Sequence, residues 1–350
     1  MSGDTMRALV KPGPGPGFEL RTVPVPRPGP GDVLVRVHAV GICGTDLHID
    51  EWDAWAASHV RPPRVIGHEF CGTVVEAAPD AGGVVPGDFI AGECHINCGR
   101  CHLCRRGDGH ICEALQIIGI DRDGAFAEYV VLPARNAWKM WPDVPREVAA
   151  MMDPFGNAVH TAFATDLATR SVVVMGCGPI GLCAVLIARR AGAAPVIAVD
   201  VNPYRLRLAG AVGADRVVDA GREDTAAFVR SLTRGEGADV LLEFSGSPEG
   251  LHAGLAGLRN GGFAALLGLP HAPFAVDLAN DVIFKGLRLQ GIFGRRLWET
   301  WYKGSALLAA GLDPRPVITH RFPMARFREA FDLMRSGQCG KVILSVDGAA

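Results

Sequence analysis

The stretch SVVVMGCGPIG, residues 171–181, decides the fold of the second half of this 350-residue chain. Its first part is a continuous apolar run, as expected of a buried parallel strand. Its second part has the pattern G-x-G-x-x-G, and a helix is predicted over residues 180–191. Strand, glycine turn and helix in this order predict a dinucleotide-binding unit. Gly176 allows the tight turn, Gly178 admits a pyrophosphate, and Gly181 lets helix and strand pack closely, while the N–H groups at the helix N-terminus face the phosphates.

The next apolar run, residues 195–199, ends in an acidic residue that bears on the choice of dinucleotide. Asp200 stands 19 residues after Gly181. Its carboxylate can accept hydrogen bonds from ribose hydroxyls and would repel a 2′-phosphate, so the pattern predicts NAD rather than NADP. Arg205 is the competing residue, because it could pair with a phosphate. The alternative to a cofactor site is a glycine turn with Asp200 as a cap at the end of the strand.

Alternating strands and helices continue through this half of the chain. Apolar runs at 240–244 and 263–267 predict further strands of a doubly wound parallel sheet. The first half differs: short alternating strands at 32–38, 72–76, 88–91 and 127–131 predict an antiparallel β-rich domain with long loops. A helix at 327–334 and a strand at 341–346 end the chain, and that strand could return to the first domain. We therefore expect an α/β protein with domains at 1–157 and 158–297, and a return to the first domain over 298–350.

Composition and charge exclude several classes of protein. Apolar residues make up 49% of the chain and charged residues 21%, which indicates a folded globular protein. Thirty-five basic residues against 37 acidic ones give a net charge of -2, so no field favours nucleic acid or an anionic membrane. The most apolar helical stretch, residues 182–191, is too short to span a bilayer. No signal pattern stands at the N-terminus, and we expect a cytoplasmic protein.

Four cysteines have the spacing of a metal-binding lobe. Gaps of two, two and seven residues separate Cys98, Cys101, Cys104 and Cys112. Four thiolates can surround one tetrahedral Zn²⁺ and leave no open position, so we predict a structural zinc lobe over about residues 94–113. An iron–sulfur cluster is the alternative, but Glu113 stands where such clusters usually have a proline. A thioredoxin-like cysteine pair would not explain four cysteines.

A second possible metal site is spread over two short segments. GICGTDLH, residues 41–48, follows the predicted strand at 32–38, and GHE occupies residues 67–69. Cys43, His68 and Glu69 could supply three ligands and leave one position for water or substrate. A third segment, DPFGNAVH at 153–160, precedes the dinucleotide-binding stretch.

These segments, in this order, resemble the zinc-dependent medium-chain alcohol dehydrogenase family. The likeness extends through VGICGTDLHIDEWDAW, GECHINCGRCHLC and DPFGNAVHTAF over nearly the whole chain. It implies a GroES-like catalytic domain beside the Rossmann coenzyme domain, and two Zn²⁺ per chain. The catalytic ion would be held by Cys43, His68 and Glu69, with Glu69 binding it either permanently or until substrate enters.

The resemblance also implies roles for other residues. Thr45 and His48 match proton-relay positions, and Asp153 matches an acidic position that assists catalysis. Arg205 is implied to serve the adenosine end of NAD. Phe293 stands where an aromatic hydroxyl is expected. The positions implied to contact NAD are Gly176, Gly178, Ile180, Gly181, Asp200, Arg205, Leu267, Gly268, Leu269, Ile292 and Phe293.

The most specific part of the resemblance implies a substrate and an assembly. The secondary hydroxyl of L-threonine would be oxidised to 2-amino-3-oxobutanoate by a homotetramer. Another polyol or secondary alcohol is the alternative substrate. A non-catalytic zinc module that binds nucleic acid or a protein partner would explain the four cysteines. It would not explain Asp200, the glycine turn or the second group of metal ligands.

Overall fold

The structure, a computed structural model, describes residues 4–346 and divides the chain into two units. The first unit contains the described residues up to Asp153, then Ile318–Ser336 and the chain from Lys341. The second contains Pro154–Val317 and Gly337–Gly340. The return to the first unit, predicted from residue 298, thus begins at Ile318, because the helix Glu299–Ala309 packs within the second unit. Its Trp301 is buried there beside the guanidinium of Arg295.

Eighteen strands and eleven α-helices are described, and they are numbered here in chain order. The strands are β1 (Thr5–Lys11), β2 (Glu19–Pro24), β3 (Asp32–Gly41), β4 (Arg64–Val65), β5 (Glu69–Ala77), β6 (Phe89–Gly92), β7 (His95–Ile96), β8 (Gln116–Ile117), β9 (Tyr129–Pro133), β10 (Ala137–Lys139), β11 (Val172–Met175), β12 (Val196–Asp200), β13 (Arg216–Asp219), β14 (Ala238–Glu243), β15 (Leu258–Leu266), β16 (Arg288–Gly291), β17 (Ile318–Pro323) and β18 (Lys341–Ser345). The helices are α1 (Gly44–Glu51), α2 (Ala54–His59), α3 (His102–Arg105), α4 (Arg146–Ala150), α5 (Met152–Ala162), α6 (Pro179–Arg190), α7 (Pro203–Ala211), α8 (Thr225–Leu232), α9 (Pro248–Gly257), α10 (Glu299–Ala309) and α11 (Phe327–Arg335).

The first unit is built mainly from antiparallel strands, as predicted. Its largest sheet has the order β10-β6-β5-β3-β18-β17, with β9 also paired to β3. The last strand does return to this unit: β18 runs antiparallel to β3 and places Ile343 opposite Gly41. On the other side of β3, the register with β5 places Glu69 opposite the same glycine. Three segments distant in sequence therefore meet at the end of β3.

The second unit is a doubly wound parallel sheet, which confirms the prediction from the glycine-rich stretch. Its strand order is β13-β12-β11-β14-β15-β16, and every neighbouring pair is parallel. The apolar run of β11 is wholly buried because helices cover both faces of such a sheet. Parallel strands end at one edge, where the loops after β11, β12, β14 and β15 gather.

No helix within residues 4–346 combines the length and hydropathy that crossing a bilayer requires.

Candidate functional site

Three metal-binding side chains meet beside the end of β3. Cys43 lies between β3 and α1, while His68 and Glu69 lie at the start of β5. The sulfur of Cys43, one imidazole nitrogen of His68 and one carboxylate oxygen of Glu69 all lie within 4.8 Å of one another. The structure thus brings together the three residues that the sequence singled out as ligands of a second metal site.

The start of α1 fixes the position of Cys43. Cys43 is the N-cap of this helix, and its backbone N–H donates to Oδ2 of Asp46 at 2.8 Å. The cysteine sulfur accepts a hydrogen bond from the Asp46 backbone in return, which completes a capping box. Asp46 is buried, and burial raises its pKa to about 6, although His68 and the Cys43 amide favour the carboxylate. Its other oxygen lies 3.9 Å from Nδ1 of His68. Asp46 was not among the predicted site residues.

His68 and Glu69 are buried, and each has a possible metal-ligating atom that makes no hydrogen bond within the described part of the chain. Within residues 4–346, Nδ1 of His68 and Oε1 of Glu69 have no hydrogen-bond partner. Burial disfavours the imidazolium, but the hydrogen bond with Cys43 and the charges of Cys43, Asp46 and Asp153 raise the pKa of His68 to about 10. Unpartnered buried polar atoms are costly, and Zn²⁺ prefers thiolate, imidazole and carboxylate donors. These residues therefore fit a zinc ion with one position left for a further ligand.

A buried lysine also reaches this group. Lys341, the first residue of β18, forms an ion pair with Oε2 of Glu69 and donates to the carbonyl oxygen of Ile42 at 2.7 Å. Burial disfavours the ammonium, but the charges of Glu69 and Cys43 outweigh it and raise the pKa of Lys341 above its ordinary value. The only sequence signal of this residue was a charge at the start of an otherwise apolar strand.

The two predicted proton-relay residues lie one helical turn apart on α1. Oγ1 of Thr45 is 3.7 Å from the sulfur of Cys43. Nδ1 of His48 is 2.6 Å from Oδ2 of Asp53, whose other oxygen caps α2 by accepting from the Ala56 amide. Asp53 therefore fixes the orientation of the His48 ring, and no local sequence pattern indicated this partner.

Asp153, the predicted acidic residue, is buried in the same unit. Its Oδ1 accepts a hydrogen bond from the thiol of Cys94 at 3.2 Å. Its negative charge acts on the imidazole of His68, as described above. The structure therefore places Asp153 within electrostatic reach of the metal-binding group. Cys94, which the sequence had left without a role, is its hydrogen-bond donor.

The four clustered cysteines converge as their spacing predicted. Their sulfurs all lie within 4.8 Å of one another, and three pairs are 3.5, 3.9 and 4.0 Å apart. Zn–S bonds of about 2.3 Å place tetrahedral sulfurs about 3.8 Å apart. Backbone amides donate to three of these sulfurs, and such bonds lower the pKa of Cys98 to about 6. All four are free thiols, so this donor set fits a closed zinc site.

The glycine turn after β11 has the geometry that the motif requires. Gly176 has φ +91°, and a Cβ there would lie 2.8 Å from the backbone nitrogen of Ser245. A Cβ at Gly181 would collide with the carbonyl oxygen of Gly176. Gly178 is the N-cap of α6, and a Cβ there would meet no atom within 4 Å. Space beside the N-terminus of this helix is therefore open, as an anionic phosphate group needs.

A cavity of about 530 Å³ adjoins the glycine turn. Gly176, Gly178, Asp200 and Arg205 line it, together with residues that follow β13 and β14. Asp200 is held by two backbone amides: Cys177 N–H donates to Oδ2 at 2.7 Å and Asn202 N–H donates to Oδ1 at 2.8 Å. A carboxylate oxygen can accept more than one hydrogen bond, so Asp200 can still accept hydrogen bonds from ribose hydroxyls. The cavity fits the adenosine part of a dinucleotide.

The remaining predicted cofactor residues do not line this cavity. They lie in the first turn of α6 and in the loops after β15 and β16: Ile180, Gly181, Leu267, Gly268, Leu269, Ile292 and Phe293.

Glu243, which sequence reasoning missed, ties two of the loops together. It ends β14 and is buried. Its Oε1 accepts from Ser245 N–H at 2.8 Å and Gly246 N–H at 3.1 Å, and its backbone oxygen accepts from Leu267 and Gly268. Burial raises the pKa of Glu243 above its ordinary value, against the hydrogen bonds that favour its carboxylate. An acidic residue at the end of an apolar strand was the signal that could have found it.

Comparisons with known proteins agree with both units. Residues 29–143 match the family model of the alcohol dehydrogenase GroES-like domain, and residues 179–310 match that of the zinc-binding dehydrogenases. The solved structure of a protein from Sinorhizobium meliloti 1021 described as a zinc-binding dehydrogenase, bound to NADP, is similar with a TM-score of 0.91 and 32% identity. The match covers 98% of this chain and all of that one.

Two further comparisons bear on the cofactor and the closer relatives. An alcohol dehydrogenase from Escherichia coli CFT073, complexed with NADH, has a TM-score of 0.90 and 27% identity, covering 98% of this chain and 100% of its own. The L-threonine 3-dehydrogenase of Symbiobacterium thermophilum is 51% identical over 346 residues, which cover 98% of this chain and 99% of the relative. The chain therefore belongs to the zinc-binding alcohol dehydrogenase family, in the group of the L-threonine 3-dehydrogenases.

Proposed function

We propose that this enzyme oxidises the secondary hydroxyl of L-threonine with NAD⁺, giving 2-amino-3-oxobutanoate, NADH and a proton. The observation that carries the proposal is the convergence of Cys43, His68 and Glu69, with buried donor atoms that lack partners. The choice of L-threonine rests on the relatives, which are 46–51% identical and bear that substrate in their names.

Cys43, His68 and Glu69 would hold the catalytic zinc. When bound, Zn²⁺ would supply Lewis acidity that lowers the pKa of the substrate hydroxyl. The protein supplies the surroundings: Asp46 holds the backbone of Cys43, and burial keeps bulk water from His68 and Glu69. Removing water strengthens every electrostatic interaction in such a site.

The chain's own residues would carry the hydroxyl proton to solvent. Thr45 Oγ1, beside the Cys43 sulfur, receives the proton and passes it on, and the imidazole of His48 hands it to water. His48 is suited to that step because it is half-exposed and Asp53 holds its ring. NAD⁺, when bound, would accept the hydrogen of the alcohol carbon with its electron pair, as hydride, once the hydroxyl proton has left. Asp153 would assist through its negative charge, which acts on the imidazole of His68.

NAD is proposed as the cofactor in preference to NADP. Structural neighbours occur with either nucleotide, so the choice depends on the residue at the end of β12. A carboxylate at Asp200, held by two amides, repels a 2′-phosphate and accepts ribose hydroxyls. Arg205, whose Nε is buried without a hydrogen-bond partner among residues 4–346, would contact the adenosine end.

A second zinc is proposed in the four-cysteine lobe, giving two per chain. The lobe between Asn97 and Glu113 has short helical turns and few buried apolar side chains, so a bound ion would contribute much of its folding free energy. Four free thiols also suit a reducing compartment, and we propose a cytoplasmic enzyme. Cell fractionation with an antibody to the chain checks this location.

We further propose a homotetramer. β16 is an exposed strand that pairs only with β15 among the described strands, and exposed Leu278, Ile283 and Phe284 precede it. An unpaired edge next to exposed apolar side chains favours association with another copy.

One assay tests the activity. NADH formation is followed at 340 nm with L-threonine, L-allo-threonine, L-serine, sorbitol and 2,3-butanediol, with and without a chelator. We expect L-threonine to have the highest kcat/KM and the chelator to abolish the activity. A higher kcat/KM for sorbitol or butanediol would assign the enzyme to another alcohol, and chelator-resistant turnover would contradict the zinc role.

A further inference from the structure

Glu69 and Lys341 meet over a glycine in the middle strand of the first sheet. β5 and β18 flank β3 on opposite sides, and both are in register with its last residue, Gly41. Nζ of Lys341 pairs with Oε2 of Glu69, and both side chains are at most 1% exposed. Two side chains from strands that are not neighbours therefore contact each other across β3.

The contact exists because residue 41 has no side chain. A Cβ at Gly41 would overlap Oε2 of Glu69 and lie 2.7 Å from Cε of Lys341. Any larger residue would push the carboxylate and the ammonium apart. The backbone thus leaves a passage in which Glu69 reaches Lys341 as well as the other metal-binding side chains.

The two oxygens of Glu69 have different surroundings. Oε2 is held by Lys341, whereas Oε1 is buried and has no hydrogen-bond partner among residues 4–346. The carboxylate belongs to the group whose donor atoms lie within 4.8 Å of one another. The buried carboxylate of Glu69 is therefore next to both the ammonium of Lys341 and the place where the metal would bind.

Counting charges shows why this lysine matters. Cys43 as thiolate, together with the buried carboxylates of Asp46, Glu69 and nearby Asp153, would make this region strongly negative, and Lys341 carries one positive charge there. A divalent cation and Lys341 would together offset this negative charge. A buried carboxylate that leaves a metal without another cation nearby is strongly disfavoured. Lys341 supplies that second cation.

We propose that Lys341 is a positioning residue that competes with the catalytic metal for Glu69, and so sets how readily Glu69 gives up its place to the substrate hydroxyl. This inference rests on the proposed function. It assigns a role to a lysine far from Glu69 in sequence, through the passage that Gly41 leaves open.

The test measures metal binding rather than turnover alone. Zinc is replaced by Co²⁺, and the spectrum of the catalytic site is obtained by subtracting the spectrum of Cys43→Ala. In Lys341→Met, the competitor is gone and Glu69 stays on the metal. We expect release of Co²⁺ to a chelator to slow about tenfold, and the d–d bands to change less when substrate is added. Lys341→Arg keeps the competing charge and should release the metal at least as fast as the wild type.

A double-mutant cycle separates competition from a structural role. Glu69→Gln should speed metal release much more in the Lys341→Met background than in the wild type, because only there is Glu69 held by the metal alone. Lys11→Met is the matched control: Lys11 is a second fully buried lysine of the same unit, held by the Gly17 and Asp50 carbonyls and over the Trp52 ring. It should lower the melting temperature and leave the release rate unchanged.

The outcomes are distinct. If the wild type and Cys43→Ala give the same cobalt spectrum, the proposed metal site itself is wrong. If the spectra differ but the effects of Lys341→Met and Glu69→Gln on the release rate are independent, only the competition is overturned. Should Lys341→Met fail to fold, a release rate in Lys341→Arg slower than in the wild type overturns the competition as well.

Discussion

The backbone N–H of Cys177 donates to Oδ2 of Asp200 at 2.7 Å and so joins the glycine turn after β11 to the end of β12. The residue that would select the cofactor therefore also braces the loop that would bind its phosphates. A substitution at Asp200 changes both functions, and the two can be separated by the size and chemistry of the replacement.

Asp200→Ala should raise KM for NAD about 10- to 100-fold, since hydrogen bonds to a charged group contribute about 1.5–3 kcal/mol. The ratio of kcat/KM for NAD to that for NADP should fall, because the repulsion of the 2′-phosphate is lost. Asp200→Asn keeps an acceptor for Cys177 N–H and should lose less thermal stability than the alanine variant, while its preference for NAD still falls. Steady-state kinetics with both nucleotides check this. An unchanged preference would refute the ribose contact.

Cys43→Ala should reduce kcat by about 1,000-fold or more, since Lewis-acid assistance contributes several kcal/mol to the barrier. NAD binding, measured by NADH fluorescence, should persist, because the glycine turn belongs to the other unit. Metal analysis should find two zinc ions in the wild type and one in the variant. Cys183→Ala, a buried cysteine of α6, is the control for losing a thiol and should retain both ions. Turnover by the Cys43 variant would contradict the metal role.

Cys98→Ser should remove the zinc of the four-cysteine lobe and lower the melting temperature by about 5–10 °C. Hydroxyl oxygen is a poorer zinc ligand than thiolate, and the lobe has few apolar contacts to replace the ion. Glu113→Gln, an exposed substitution next to Cys112, is the control and should leave the melting curve unchanged. The prediction is wrong if Cys98→Ser has the same melting temperature as the wild type although its zinc content is halved.

Contiguous motifs made much of this site predictable. The glycine turn and Asp200 follow an apolar strand directly, and the four cysteines lie within 15 residues of one another, so local spacing sufficed. Cys43, His68 and Glu69 were also identified, and the structure brings them together. The glycine turn, Asp200 and Cys43 lie where β11, β12 and β3 end, and side chains from several segments converge at such strand ends.

Strand register explains what sequence reasoning missed. Lys341 reaches Glu69 only because β18 and β5 flank β3 with Gly41 between them, and no local pattern encodes that register. From the sequence alone, Glu243 is simply the polar residue at the end of a strand. Only the structure shows the loops that it holds together. Residues 298–317 were assigned to the wrong unit, because α10 is amphipathic and could have packed on either unit. Trp301 of α10 is buried beside Arg295, and this packing holds the helix in the second unit.

Replacing the exposed apolar residues before β16 should disrupt the assembly. Ile283→Asp combined with Phe284→Asp places two charges where the wild-type side chains are 68% and 77% exposed. In a monomer this costs little, but in an interface each buried charge opposes association. Light scattering after size exclusion should show a smaller species than the wild type. Val85→Asp, on the first unit, is the control. An unaltered mass for the double variant would place the interface elsewhere.

Glu243→Gln should weaken NAD binding and change the pH dependence of stability in a defined direction. Burial raises the pKa of Glu243 above its ordinary value. The folded state therefore favours the protonated form, and the stability linked to that proton is lost as the pH rises through the raised pKa. Glutamine does not titrate, so the melting temperature of the variant minus that of the wild type should increase from pH 5 to pH 7.5. All other titrating groups are shared, so this difference isolates residue 243. KM for NAD should rise about 3- to 10-fold, because the carboxylate holds Ser245 and Gly246 at the edge of the sheet with hydrogen bonds that an amide replaces only in part. A difference in melting temperature that stays constant with pH would show that Glu243 keeps its ordinary pKa in the fold.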